Sequence, residues 1–222
     1  MLTGGAYLHL SPTAPAQLAP LAKSALGLFG STSPSYLTLA SLDLCNRYLA
    51  EGYPQRLAEA VERLAELRER LTAAGWRVEP SDPLRVTVAA PRGVTGQELA
   101  GQLRRQGVEC EYADRDFLVL MTTPENTPEE LAQAAAALGQ CPGEANPPQL
   151  PLARGERACS IRQAAFAPRE TVDAAHSLGR VCGLPTVGCP PAIPIAVSGE
   201  RITPEALALF AYYGIEQVEV LA

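Results

Sequence analysis

The chain is short of lysine. Of its 18 basic residues one is a lysine, Lys23, and the rest are arginines. Chemistry that runs through a lysine amine therefore has a single candidate. Histidine is almost as scarce, with His9 and His176 alone. The six cysteines, at 45, 110, 141, 159, 182 and 189, include no CxxC pair, which argues against a zinc site. Reduced cysteines in a cytoplasmic protein are the simpler reading. No apolar run reaches the ~18 residues needed to cross a bilayer, so no membrane span is predicted. The N-terminus lacks a basic stretch followed by a long apolar run, so no signal peptide is expected. Excess positive charge is missing too: the net charge is -6 and the pI about 5.1, which disfavours nucleic acid and anionic membranes as partners. There is no glycine-rich phosphate loop and no Ser/His/Asp set.

What is present is a foldable chain of 222 residues, 47% hydrophobic. A weak helix is expected from about Pro15 to Leu28, ending at Gly30. Ser33 suits an N-cap and Pro34 the first turn of a second helix that runs to about Ala50 and is apolar nearly all round, as if buried on several sides. From Pro54, Leu57, Val61, Leu64, Leu67 and Leu71 form a helical stripe that Gly75 ends. Leu84–Ala90 alternates like a strand. Thr95 with Glu98 and Thr127 with Glu130 are capping boxes, and between them Val108–Asp114 and Phe117–Met121 read as strands. A proline-rich linker follows over 140–156. Beyond it the pattern predicts an extended segment at Ala158–Ala165, a helix over Pro168–Gly179, a strand over Ala192–Val197, a helix from Thr203-Pro204 to Gly214 and a last strand over Val218–Leu221.

Three segments carry a resemblance. Ser31–Asp43 (STSPSYLTLASLD), Cys189–Thr203 (CPPAIPIAVSGERIT) and Gly4–Leu10 (GGAYLHL) occur in the order and spacing of the Orn/Lys/Arg decarboxylase family, fold-type-I enzymes that use pyridoxal phosphate (PLP). The first resembles the family's serine/threonine-rich stretch, the second its PPGIP...PGE stretch, and the third the segment just after its PLP lysine. Membership implies an α/β (α+β) chain corresponding to the carboxyl-terminal part of such a protein. Residues 1–52 would be a remnant of the large PLP domain, 53–75 a connecting helix, 76–140 a small α/β sandwich domain, 141–156 a linker and 157–222 the C-terminal α/β domain.

The resemblance also sets expectations for chemistry. The family's PLP lysine, in a Ser-x-His-Lys motif, lies before the segment matched by Gly4–Leu10, and Lys23 has no Ser-x-His ahead of it. No catalytic residue is therefore expected in this chain, and by itself it should be inactive and bind no cofactor. Ser31, Thr32 and Ser33 correspond to a stretch that reaches the PLP phosphate of the neighbouring subunit; an ordinary N-cap before Pro34 is the alternative. Tyr7 and His9 would sit near the cofactor pocket, although a lone histidine in an apolar segment is more often structural, as is His176. Glu200 is a candidate substrate residue or a turn acid. Relatives carry a glutamate where Leu184 stands, and a carboxylate there would suit a cationic substrate. The expected partners are a second copy or a chain carrying the lysine-bearing half. The alternatives are a non-catalytic binding or regulatory module, half of a split enzyme, or an ordinary α/β small-molecule binder. Residues 1 to about 50 should carry apolar faces in need of a partner.

Overall fold

A computed structural model describes residues 2, 4–30, 33–185 and 193–222. The chain divides into two units, Met1–Glu62 and Arg63–Ala222.

The first unit contains helices α1 (Leu18–Phe29) and α2 (Tyr36–Ala50) and the start of α3 (Tyr53–Ala73). The segment before α1 lies along α2. The Leu2 amide donates to Ser41 Oγ (3.0 Å), and Asn46 Nδ2 donates to the Tyr7 hydroxyl (2.8 Å). Gly5 is pressed against Thr38 so closely that a Cβ would stand 2.8 Å from Cγ2. Helix α2 starts later than its sequence suggests. Its N-cap is Ser35, not Ser33, and Ser35 makes no side-chain cap hydrogen bond. Nor is α2 buried on several sides: Leu42 alone among its residues is buried.

The second unit holds two sheets. The first comprises β1 (Val78–Glu79), β2 (Arg85–Ala89), β3 (Tyr112–Ala113) and β4 (Phe117–Met121) in the order β1-β2-β4-β3, every pair antiparallel. The alternation in β2 and β4 points Val86, Val88, Leu118 and Leu120 to one face. Onto that face pack Leu64, Leu67 and Leu71 of α3, Leu99 and Leu103 of α4 (Gly96–Arg105), and Ala134 and Leu138 of α5 (Pro128–Leu138). Trp76 closes one end, its indole N–H donating to the Gly139 carbonyl (3.0 Å). Both expected capping boxes form, Thr95 with Glu98 and Thr127 with Glu130. The strand expected over Val108–Asp114 shrinks to the two residues of β3.

The second sheet pairs β5 (Arg169–Asp173) with β6 (Gln217–Leu221), with α6 (Ile161–Phe166) before it and α7 (Pro204–Tyr212) between the strands. Three expectations are corrected here. Ala158–Ala165 is not extended, because Ser160 and Gln163 form a third capping box that starts α6. Residues 169–173 form a strand rather than a helix. The full five-residue ladder to β6, with Glu170–Arg180 and Arg169–Glu219 ion pairs, outweighs the weak local helical preference. Residues 193–197 form no strand: Pro194 has no N–H for a ladder. Phe210, Ile202, Val218, Val220 and Cys182 make the core beneath this sheet. A seam joins the two sheets: the Tyr212 hydroxyl donates to both Asp116 oxygens (2.6 and 2.5 Å) and the Arg115 guanidinium lies over the Tyr212 ring at 5.0 Å. Burial and Asp116 push the Tyr212 phenol well above its ordinary range.

Candidate functional site

The residues singled out by sequence fall on three places in the fold. The first is the start of α2. An α-helix leaves its first N–H groups without intrahelical partners, and these attract anions. At α2 the N-cap residue, Ser35, makes no side-chain cap hydrogen bond to them. Ser33 lies two residues before the N-cap and is exposed. Ser31 and Thr32 lie outside the described residues.

The second place is the segment before α1. His9 is exposed and sits obliquely to Tyr7, ring centroids 5.9 Å apart. Tyr7 is tied to α2 through Asn46, so the segment is held against the helix that Ser33 precedes. Lys23 is exposed on α1.

The third is the turn at 197–200 in the second unit. Glu200 N–H donates to the Val197 carbonyl, and Val197 N–H donates back to Glu200 Oε2 at 3.2 Å. The half-buried Glu200 carboxylate therefore caps its own turn. The turn's backbone knits three segments together. The Gly199 carbonyl accepts from Ala158 and Cys159, Gly199 N–H donates to Cys182, and Cys182 N–H donates to Glu200. Ser198, buried, donates its hydroxyl to the Gly183 carbonyl (3.0 Å). Leu184 is exposed two residues after Cys182. Most of the proline-rich loop between, with Cys189, lies outside the described residues.

Cys182 is a residue that the motifs did not single out. It is buried beneath this turn, and its thiol donates to the Leu184 carbonyl (3.2 Å). Burial, with the Glu200 carboxylate adding, pushes the thiol from its ordinary 9.0 up to about 11. It stays protonated and unreactive at neutral pH. A pKa raised by folding gives stability that is full below pH 9 and lost as pH rises through 11. Tyr212 adds a similar loss only above its ordinary 10.0. Cys110 is also raised by burial. In a Cys110→Ala background, the urea midpoint should hold up to about pH 9 and fall from there towards pH 10. Adding Cys182→Ala should flatten that fall. An unchanged slope in urea titrations of the double variant would show that the thiol is not its source.

His176 is not mid-helix. It closes a 3-10 turn after β5, exposed, with Nδ1 3.5 Å from Asp173 Oδ2, at the edge of an open, mainly apolar depression of about 650 Å³. Among the described residues no group of three or more His, Cys, Asp and Glu side chains is placed to hold a metal, and no helix is long and apolar enough to cross a membrane.

Comparison with known proteins points in one direction. No family model matches the chain. It is 29% identical over 214 residues to an arginine decarboxylase of Bacillus subtilis, covering 84% of this chain and 42% of that protein. It is 27% identical over 225 residues to the uncharacterised protein YaaO of the same organism, covering 93% of this chain and 46% of that one. The chain thus spans less than half the length of the curated relatives it matches. Among solved structures, the constitutive lysine decarboxylase of E. coli superposes with a TM-score of 0.68 at 15% identity, over 90% of this chain and 45% of that one. The Francisella novicida lysine decarboxylase gives 0.71 at 14%, over 90% and 44%. The chain is a mixed α/β protein with the fold of part of these enzymes, related in sequence to part of the basic amino-acid decarboxylases.

Proposed function

We propose that this chain is the carboxyl-terminal portion of a PLP-dependent decarboxylase of basic amino acids, with the domain division read from its sequence, and that it is inactive by itself. The observation that carries this is the match to arginine decarboxylases over more than four-fifths of the chain, at 28–29% identity.

The described residues fit one end of the cofactor and not the other. The start of α2, with Ser33 before it, suits a phosphate because the first N–H groups of a helix attract anions, and Ser31 and Thr32 adjoin it in sequence. The aldehyde end needs a lysine amine in the pocket. Lys23, the one lysine, is exposed on the outside of α1. No catalytic step is therefore assigned to this chain. On this reading, Ser31–Ser33 and His9 belong to the cofactor pocket of the assembled enzyme, and Glu200 shapes the turn beside its substrate loop. The enzyme would act in the cytoplasm.

The test uses the purified chain with PLP and with arginine, lysine or ornithine. The expected results are no release of CO2 and no pyridoxyl group on Lys23 after borohydride reduction and peptide mapping. Stoichiometric pyridoxylation of Lys23 would overturn the reading.

Leu184 favours a second reading, a non-catalytic module of the same descent, because a leucine offers a cationic substrate no counter-charge. An open frame encoding Ser-x-His-Lys just upstream of Met1 would eliminate it.

A further inference from the structure

The depression that His176 borders lies within the second unit, between α7 and the 3-10 turn that follows β5. Its volume of about 650 Å³ is that of an ordinary small-molecule site, ~300–1,000 Å³. Short side chains open it. Ala174 and Ala175 come from the turn and Ala208 and Ala211 from α7, and they leave the space that longer residues would fill. The two walls are tied together, because the Ala174 N–H donates to the Glu216 carbonyl (2.8 Å). Leu207, Phe210 and Ile215 supply the larger apolar surfaces.

The charge around this space has one sign. Asp173 and Glu216 line it, and no lysine or arginine does. Asp173 is met by the His176 ring, Nδ1 to Oδ2 3.5 Å. Among the described residues the Glu216 side chain has no ion-pair or hydrogen-bond partner. An apolar surface flanked by two carboxylates selects an aliphatic cation. A neutral hydrocarbon leaves the carboxylates to water, and an anion is repelled. A metal ion gains nothing from Leu207 or Phe210, and among the described residues no group of three donors stands ready for one.

We propose that this depression binds an aliphatic amine with a cationic group at each end. Its methylenes lie on Leu207, Phe210 and Ile215, and its cationic groups face Asp173 and Glu216. This rests on the reading of the chain as part of a basic amino-acid decarboxylase, which releases an amine of this class, and adds to it a site where that product is sensed. Decarboxylation removes the one group that the site rejects. The parent amino acid keeps its α-carboxylate, which would stand beside Asp173 or Glu216 with no lysine or arginine to meet it. The depression therefore tells product from substrate.

The test titrates the isotope-labelled 222-residue chain with cadaverine, the five-carbon diamine, at low ionic strength. Amide resonances of Asp173, His176, Leu207, Ala211 and Glu216 should shift and saturate with a Kd of about 1 mM, while those of β2 and β4 stay still. Lysine, which differs by its α-carboxylate, and pentanediol, which carries no charge, should each bind at least about fivefold more weakly. Glu216→Gln should weaken cadaverine binding about two- to fivefold, the ordinary worth of one exposed ion pair. Ala211→Leu, at an exposed position of α7, fills the space and should abolish saturation. Unchanged Val218 and Val220 resonances would show that this variant is folded. The site is overturned if lysine binds as tightly as cadaverine, if Glu216→Gln has no effect, or if no saturable shift occurs up to ~20 mM. Shifts spread evenly over other acidic surfaces would overturn it too. The two readings fail separately: pyridoxylation of Lys23 bears on the activity of the chain, and a missing cadaverine response bears on this site alone.

Discussion

Replacing Gly96 with alanine should cost the second unit about 3 kcal/mol or more of stability, a large loss for a single methyl group. Propensity argues the opposite: Gly to Ala inside a helix gains up to ~1 kcal/mol. The surroundings decide the sign. A Cβ on Gly96 would stand 2.1 Å from the Phe117 carbonyl oxygen and 2.5 Å from that of Asp114. Both are backbone atoms of the β3–β4 turn and cannot swing aside as a side chain would. They are held because Gly96 and Gln97 N–H donate to the Arg115 and Asp114 carbonyls, laying the first turn of α4 on the sheet. Alanine forces the helix start off the turn and loosens Leu99 and Leu103, which fill the core behind it. Gly101→Ala in the same helix is the control. Its nearest neighbour is the end of the Arg105 side chain at 3.7 Å, so it should stabilise by up to ~1 kcal/mol. Urea unfolding followed by the buried Trp76 reads both. With slopes of roughly 1–3 kcal/mol per molar, the first change should lower the midpoint by 1 M or more. Equal effects from the two alanines would refute the close approach.

Gly199→Ala should be nearly as damaging, and its damage should fall on residues 157–222. Gly199 has φ +92, a conformation L side chains rarely adopt, and a Cβ there would meet the Cys159 carbonyl oxygen at 2.6 Å. That carbonyl cannot retreat without breaking the bonds from Ala158 and Cys159 N–H to the Gly199 carbonyl. Strain and clash together are expected to cost about 3 kcal/mol. Gly179→Ala separates the two causes. Its φ is +73 but nothing lies within 4 Å of its Cβ position, so it should cost only ~1 kcal/mol. Amide exchange at Cys182, Glu200 and Ile202 should quicken with Gly199→Ala and hardly change with Gly179→Ala. If both variants exchange alike, the turn is not the knot that the hydrogen bonds describe.

These glycines show where sequence reading stops. S-G-E was legible as a motif, and Glu200 as a residue worth attention, but a carboxylate's role depends on what it faces. Here it faces the Val197 amide. The small sheet was legible because its signals are local: alternation in β2 and β4, and capping boxes whose two hydrogen bonds span three residues. The Ser160–Gln163 box had the same form and was open to the same reading. Strand β5 was not legible. Its ladder is with β6, some 45 residues on, and no window around Arg169 contains that partner. Cys182 was missed for the same reason: its burial comes from segments distant in sequence.

What the sequence by itself determined is the decarboxylase resemblance, the helices from α1 to α5 and the core of the four-stranded sheet. All follow from short-range pattern or from residue identity. Only the tertiary structure decided that α2 leaves Tyr36 and all its leucines but Leu42 exposed, that residues 169–173 are a strand, and that Gly199 and Cys182 tie together segments of residues 157–222. Burial and strand pairing are properties of contacts between distant segments, and a chain shows its contacts only once it has folded.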